Sequence, residues 1–295
     1  MVHMSPGTDL LTAADARWAG YNPLTMLELR SSNPVLADDQ LMADSHARPV
    51  ANPATVAGVA QKTAFAVSLA IVGGIGGAAL VRAVGNGAIL GVFIGSLVAS
   101  LVCFFALWRK PQRAVWAAPL YSVTQGATMG VMALLLDSIL ASRGISAFGG
   151  LGLQAFVITL AITAAMLIVY RAGLIKPTGT FVAVLSTLTI GIALLYLAQF
   201  VLGFFSIDIP GLGLQSAMQG GKGAWIGVAI NGAILVIASL WLVVDFQQVE
   251  NAVATRVGKE YEWYFAYGLM VTLVWIYLEA LKLAFRMAMM ANERK

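Results

Sequence analysis

Residues 181–203 read FVAVLSTLTIGIALLYLAQFVLG, inside an interval of 31 uncharged residues between Lys176 and Asp208. A helix crosses the hydrocarbon core with about 20 apolar residues, so this stretch predicts a membrane span. The same measure repeats along the chain. Uncharged intervals of 19, 26, 23, 27 and 22 residues follow Lys62, Arg82, Arg113, Arg143 and Lys222. A seventh begins after Glu262 with 16 uncharged residues, meets Glu279 and Lys282, and stays largely apolar to Met290. The expected spans are 63–83, 88–108, 115–136, 151–170, 181–205, 225–249 and 263–287. The runs are continuous, whereas a membrane barrel needs alternating segments of about 10 residues. Backbone in lipid must satisfy its own hydrogen bonds, so helices follow. The expected fold is all-α: a polytopic bundle of seven transmembrane helices over 62–290.

Composition excludes the soluble alternative. The chain of 295 residues is 59% hydrophobic and only 11% charged, against about 25% charged in a soluble domain. Its net charge of +4 does not imply a nucleic-acid partner, because the basic residues sit in short loops between apolar runs. The expected partner is the lipid bilayer. Cys103 is the single cysteine, so no disulfide forms within the chain. Residues 1–61 carry five prolines and no sustained period. They read as a polar, mostly disordered cytoplasmic tail. The first 25 residues have no apolar core and are no signal peptide; the first span would serve as an uncleaved insertion signal.

Lysine and arginine in short loops set orientation. Arg48, Lys62, Arg109, Lys110, Arg113, Arg171, Lys176, Arg256 and Lys259 fall on one side, nine in all; Arg82, Arg143 and Lys222 fall in the opposite loops. This puts the N-terminus in the cytoplasm. Lys282, Arg286, Arg294 and Lys295 near the C-terminus weigh against it. Glycines recur at four-residue spacing, Gly73 with Gly77 and Gly87 with Gly91 and Gly95, where close helix packing is expected.

Acids inside a span are costly and by default functional candidates. Two qualify. Asp245 sits in Trp241-Leu242-Val243-Val244-Asp245-Phe246, and Glu279 in Trp275-Ile276-Tyr277-Leu278-Glu279-Ala280. The plain alternatives are that Asp245 ends its helix at the interface, and that Lys282, three residues on, neutralises Glu279. If both acids face the interior and meet, they cannot both ionise cheaply, and they titrate as a pair. Such a site takes a proton or a hard cation, and with carbonyls and water it makes a weak calcium site. Gln125, Gln199 and Asn231 are further polar groups within spans. Gln125 is a candidate pathway-lining residue, with an interhelical hydrogen bond as the commoner role.

At these residues the chain resembles the Bax inhibitor family, in its bacterial seven-span branch. Four segments carry the likeness: Arg30-Ser31-Ser32-Asn33-Pro34-Val35-Leu36; Tyr121 through Gly130; the surroundings of Asp245; and Glu260-Tyr261-Glu262-Trp263-Tyr264 running into Trp275-Ile276-Tyr277-Leu278-Glu279. The second segment has Gln125-Gly126 where the family usually has Glu-Gly, and Glu279 stands where aspartate is common. The likeness covers roughly Arg30 to Arg286. It implies a bundle with the seventh helix near its centre in a bacterial inner membrane. It also implies a pH-sensitive calcium leak governed by Asp245 and Glu279, with Arg109 as the nearest match for a gating partner and Lys110 as the alternative. Calcium is then the transported ion, and no cofactor is implied. The signature at Arg30 lies near the protein start in that branch, so Met26 is the expected natural start.

Other classes remain in view. A non-transporting interaction protein, regulating a membrane protease or stress response, would work through a membrane-protein partner and the N-terminal signature. No enzyme is expected: His3 and His46 both lie in the tail, and no span carries a Ser–His pair or an HExxH zinc motif.

Overall fold

The computed structural model describes residues 52–205, 207, 209, 211–213, 218 and 221–293. The N-terminal signature up to Leu36, the Met26 start and most of the polar tail lie outside these residues. Seven helices long and apolar enough to cross a membrane make up the described structure. They are α1 Val56–Val84, α2 Gly87–Arg109, α3 Ala114–Ser142, α4 Leu151–Arg171, α5 Gly179–Gly203, α6 Gly221–Ala254 and α7 Glu262–Glu293. Short 3₁₀ turns, Pro111–Arg113 and Lys259–Tyr261, lead into α3 and α7. The expected seven-helix architecture is the observed one.

Several helices outrun the expected spans, because hydropathy sees only the part in hydrocarbon. α1 starts at Val56, where the Thr55 hydroxyl accepts the Gly58 amide at 2.9 Å and caps the first turn. Residues 56–61, read from sequence as tail, are its first turns. α6 continues past Asp245 to Ala254, and α7 begins at Glu262. The chain before α1 is fastened to the α6–α7 loop. Ala54 N–H donates to Val257 O at 2.7 Å, and Lys259 N–H to Asn52 O at 3.0 Å. Buried Glu262 completes the clasp by accepting from the Thr55 amide at 3.0 Å and from Lys62.

α7 is the central helix. In its most apolar window 61% of residues are buried, and in that of α6 50%, against 11–28% in the other five. It packs on α1, α3, α4 and α6. Phe265, Ile276, Leu281 and Phe285 pack in one core with Leu107, Leu136, Leu151 and Leu242. The outer faces carry exposed Ile75, Leu97, Leu194 and Val236, apolar groups that suit lipid.

Lipid is as apolar as leucine, so packing and polar contacts must hold the helices together. α1 and α3 meet backbone to backbone. A Cβ on Gly126 would overlap the Ala70 carbonyl, one on Gly130 the Gly74 carbonyl, and one on Gly73 the Val123 carbonyl. The other glycine row behaves differently. Gly87, Gly91 and Gly95 are exposed and have open space beside them. The expected close packing of that row is corrected: the stripe faces out of the bundle.

Candidate functional site

Asp245 lies on the inward face of α6, fully buried. Trp241, Leu242, Val243 and Val244 before it are buried as well. Because α6 runs on to Ala254, Asp245 is interior to its helix and does not end it. The Thr272 hydroxyl of α7 donates to Asp245 Oδ2 at 2.6 Å. Thr272 is a lone polar residue in Met270-Val271-Thr272-Leu273-Val274. That isolation was the signal available for it, and sequence reasoning missed it.

Glu279 is also buried, at 1% exposure, but it keeps other company. Its Oε1 accepts from Lys282 Nζ at 2.7 Å and from the Tyr196 hydroxyl of α5 at 2.9 Å. Its Oε2 accepts from Asn231 Nδ2 of α6 at 2.6 Å. Lys282 Nζ donates as well to the Tyr196 hydroxyl at 2.6 Å and lies 4.6 Å from the centre of that ring. The cluster therefore joins α5, α6 and α7.

The two acids share none of these partners. Thr272 and Glu279 are about two turns apart on α7, roughly 10 Å at the helical rise; Asn231 and Asp245 are about four turns apart on α6, roughly 21 Å. The helix arrangement forms two acidic stations at different depths along the α6–α7 seam. Glu279 thus has the lysine partner that its own helix offered, within a cluster that also takes in Tyr196 and Asn231.

The other candidate residues separate. Arg109 ends α2 exposed, and among the described residues it forms no ion pair. No ion pair among the described residues joins Arg109 to Asp245 or Glu279. Gln125 Nε2 donates to Ser100 Oγ at 2.6 Å, tying α3 to α2. Beside it the Ser96 hydroxyl donates to Thr124 O, and the Thr128 hydroxyl to Ser96 Oγ, each at 2.6 Å. Gln125 thus belongs to an interhelical hydroxyl ladder. Gln199 Oε1 accepts the Ile209 amide at 2.9 Å beyond the end of α5.

Arg286 was read from sequence as a tail charge opposing the orientation. It is 2% exposed, and Nη2 donates to the carbonyls of Gly211, Leu212 and Gly213 at 3.0, 3.2 and 3.0 Å. No sequence pattern announces that a loop 75 residues earlier supplies its acceptors. Among the described residues no three His, Cys, Asp or Glu side chains gather as a metal cluster.

A family model described as Bax inhibitor 1 like matches residues 33–289. The chain belongs to that family. The match takes in the seven helices up to the last turn of α7, both acidic stations and the end of the N-terminal signature, so the family likeness read from the four segments holds. A comparison with curated proteins and one with solved structures give no match. As a Bax inhibitor 1 like protein, this chain is a multi-pass membrane protein whose family is not known for enzymatic activity.

Proposed function

We propose that this Bax inhibitor 1 like protein is a pH-sensitive calcium leak channel of the bacterial inner membrane, with its N-terminus in the cytoplasm. The observation that carries the reading is the burial of two carboxylates, Asp245 and Glu279, inside membrane-crossing helices. Burying an ionised carboxylate in an apolar interior costs several kcal/mol or more unless it is compensated. Intramembrane acids accordingly mark ion and proton paths.

Each acid bridges helices through contacts that depend on its charge. Asp245 holds α6 to α7 through the Thr272 hydroxyl, and Glu279 gathers α5 and α6 around α7 through Tyr196 and Asn231. A proton on either carboxyl removes one acceptor and the negative charge, weakening those bridges. A cation supplies charge in the proton's place. At Asp245 protons and calcium thus compete for the same oxygens, and the helix arrangement shifts between closed and open populations. The cytoplasmic assignment of the N-terminus is supported by the clasp of Asn52–Lys62 on the α6–α7 loop, which gathers Lys62, Arg256 and Lys259 at one end of the bundle.

The test is reconstitution of the purified protein into vesicles with an internal calcium indicator. A calcium influx above that of protein-free vesicles, changing with external pH, is expected. Vesicles that stay calcium-tight at every pH would refute the channel, and a partner-regulating role would then take its place.

A further inference from the structure

The Lys282 ammonium is held as an ion would be. It touches Glu279 Oε1 at 2.7 Å and the Tyr196 hydroxyl at 2.6 Å, and it lies over the Tyr196 ring. Asn231 closes the cluster from α6. We propose that the Glu279–Asn231–Tyr196 cluster is a binding site for a small monovalent cation, and that Lys282 is a tethered occupant of it supplied by the chain. This rests on the reading of Glu279 as a cation station and names what fills it.

Three observations carry the inference. The first is charge. Glu279 is the acid of the cluster, and one ammonium group balances it. A calcium ion prefers six to eight oxygens and several carboxylates, which this cluster does not offer. Arg286 lies one helical turn beyond Lys282, so a second positive charge already stands nearby and weighs further against a divalent ion. Its Nη2 is committed to the Gly211, Leu212 and Gly213 carbonyls.

The second is Asn231. Its side chain is 4% exposed, and its Oδ1 accepts no hydrogen bond from the described residues. A buried acceptor without a donor is costly. The amide turns its NH₂ to Glu279 Oε2 and, at 3.2 Å, to the Glu279 carbonyl, because both oxygens there are acceptors. With a metal cation in the ammonium position, a half-turn of the amide would present Oδ1 to the ion. Both Glu279 oxygens, Asn231 Oδ1 and the Tyr196 hydroxyl then form an oxygen cage of single negative charge.

The third is mobility of the occupant. The Lys282 side chain is 24% exposed while that of Glu279 is 2% exposed. The lysine stem can withdraw toward the outside of the cluster while the acid stays. Lysine suits this role through its compact ammonium on a flexible stem, whereas an arginine fork would demand planar partners.

The experiment follows thermal unfolding of the full-length protein in detergent at mildly alkaline pH, in sodium, potassium or choline chloride of equal ionic strength. The wild type should melt at the same temperature in all three. Lys282→Met should melt lower in choline and recover with sodium or potassium in a concentration-dependent way. Lys282→Met/Glu279→Gln should lose that dependence. Equal melting of Lys282→Met in all three salts would overturn the proposal. Should Lys282→Met not fold, Asn231→Asp keeps the lysine and adds a carboxylate. It should acquire stabilisation by sodium or potassium over choline, and its absence would equally overturn the proposal. Flux is not the readout, so a failed leak assay and a failed cation site are told apart.

Discussion

Along α1 and α3 the contact is backbone against backbone, with Gly73, Gly126 and Gly130 admitting the neighbouring carbonyls. Along α6 and α7 an apolar contact carries polar side-chain pairs within it, Asp245 with Thr272 and Glu279 with Asn231. Both seams answer the same problem, the lack of a hydrophobic force between helices in lipid. The glycine seam answers it with shape and has one arrangement that fits. The polar seam answers it with charge and hydrogen bonds, which a proton or an ion can change. The first suits a scaffold and the second suits a switch.

The comparison can be broken most forcefully at a glycine. Gly130→Leu would drive a side chain into the Gly74 backbone. It should yield no monodisperse protein on size-exclusion chromatography. A well-folded Gly130→Leu would mean that the seam is loose.

The polar seam should respond to loss of charge balance. Glu279→Ala leaves the half-buried Lys282 beside Tyr196 without its acid and should cost about 1–3 kcal/mol, read as a lowered unfolding midpoint. Glu279→Leu/Lys282→Leu removes both charges and should recover most of that loss, since apolar replacements of buried ion pairs are often neutral. A double variant as unstable as Glu279→Ala would show that the cluster holds the helices by more than its charge balance.

Smaller effects sharpen the contrast. Thr272→Val keeps the side-chain shape but removes the hydroxyl that Asp245 accepts from. It should cost about 1 kcal/mol and alter the pH dependence of flux more than stability. Gly91→Leu, on the outward row with open space beside it, should leave stability within about 0.5 kcal/mol. A large loss there would show that the outward face is packed against something besides lipid.

The two glycine rows also show what a sequence can and cannot convey. Both have the same four-residue spacing, yet one is clamped between helices and the other faces outward. Spacing reports a shared helix face, and only the bundle decides what that face meets. The seven spans were legible because hydrocarbon thickness imposes a length on each apolar run. The ends of α1 and α6 were not, because turns outside the hydrocarbon leave no hydropathy signal. Asp245 and Glu279 stood out as acids among apolar neighbours. Their partners did not: Tyr196 and Asn231 lie 83 and 48 residues from Glu279. Arg286 resembled a terminal surface charge because its acceptors are loop carbonyls, which no residue type advertises.

The central claim is that intramembrane carboxylates set a pH-dependent calcium leak. It is tested most directly by the pH profile of calcium flux in vesicles carrying wild-type protein or Asp245→Asn. Asparagine preserves the size of the side chain and removes its titration. The account predicts a pH-dependent flux in the wild type and a flattened profile in Asp245→Asn. An unchanged flux with an unchanged pH profile in Asp245→Asn would contradict it.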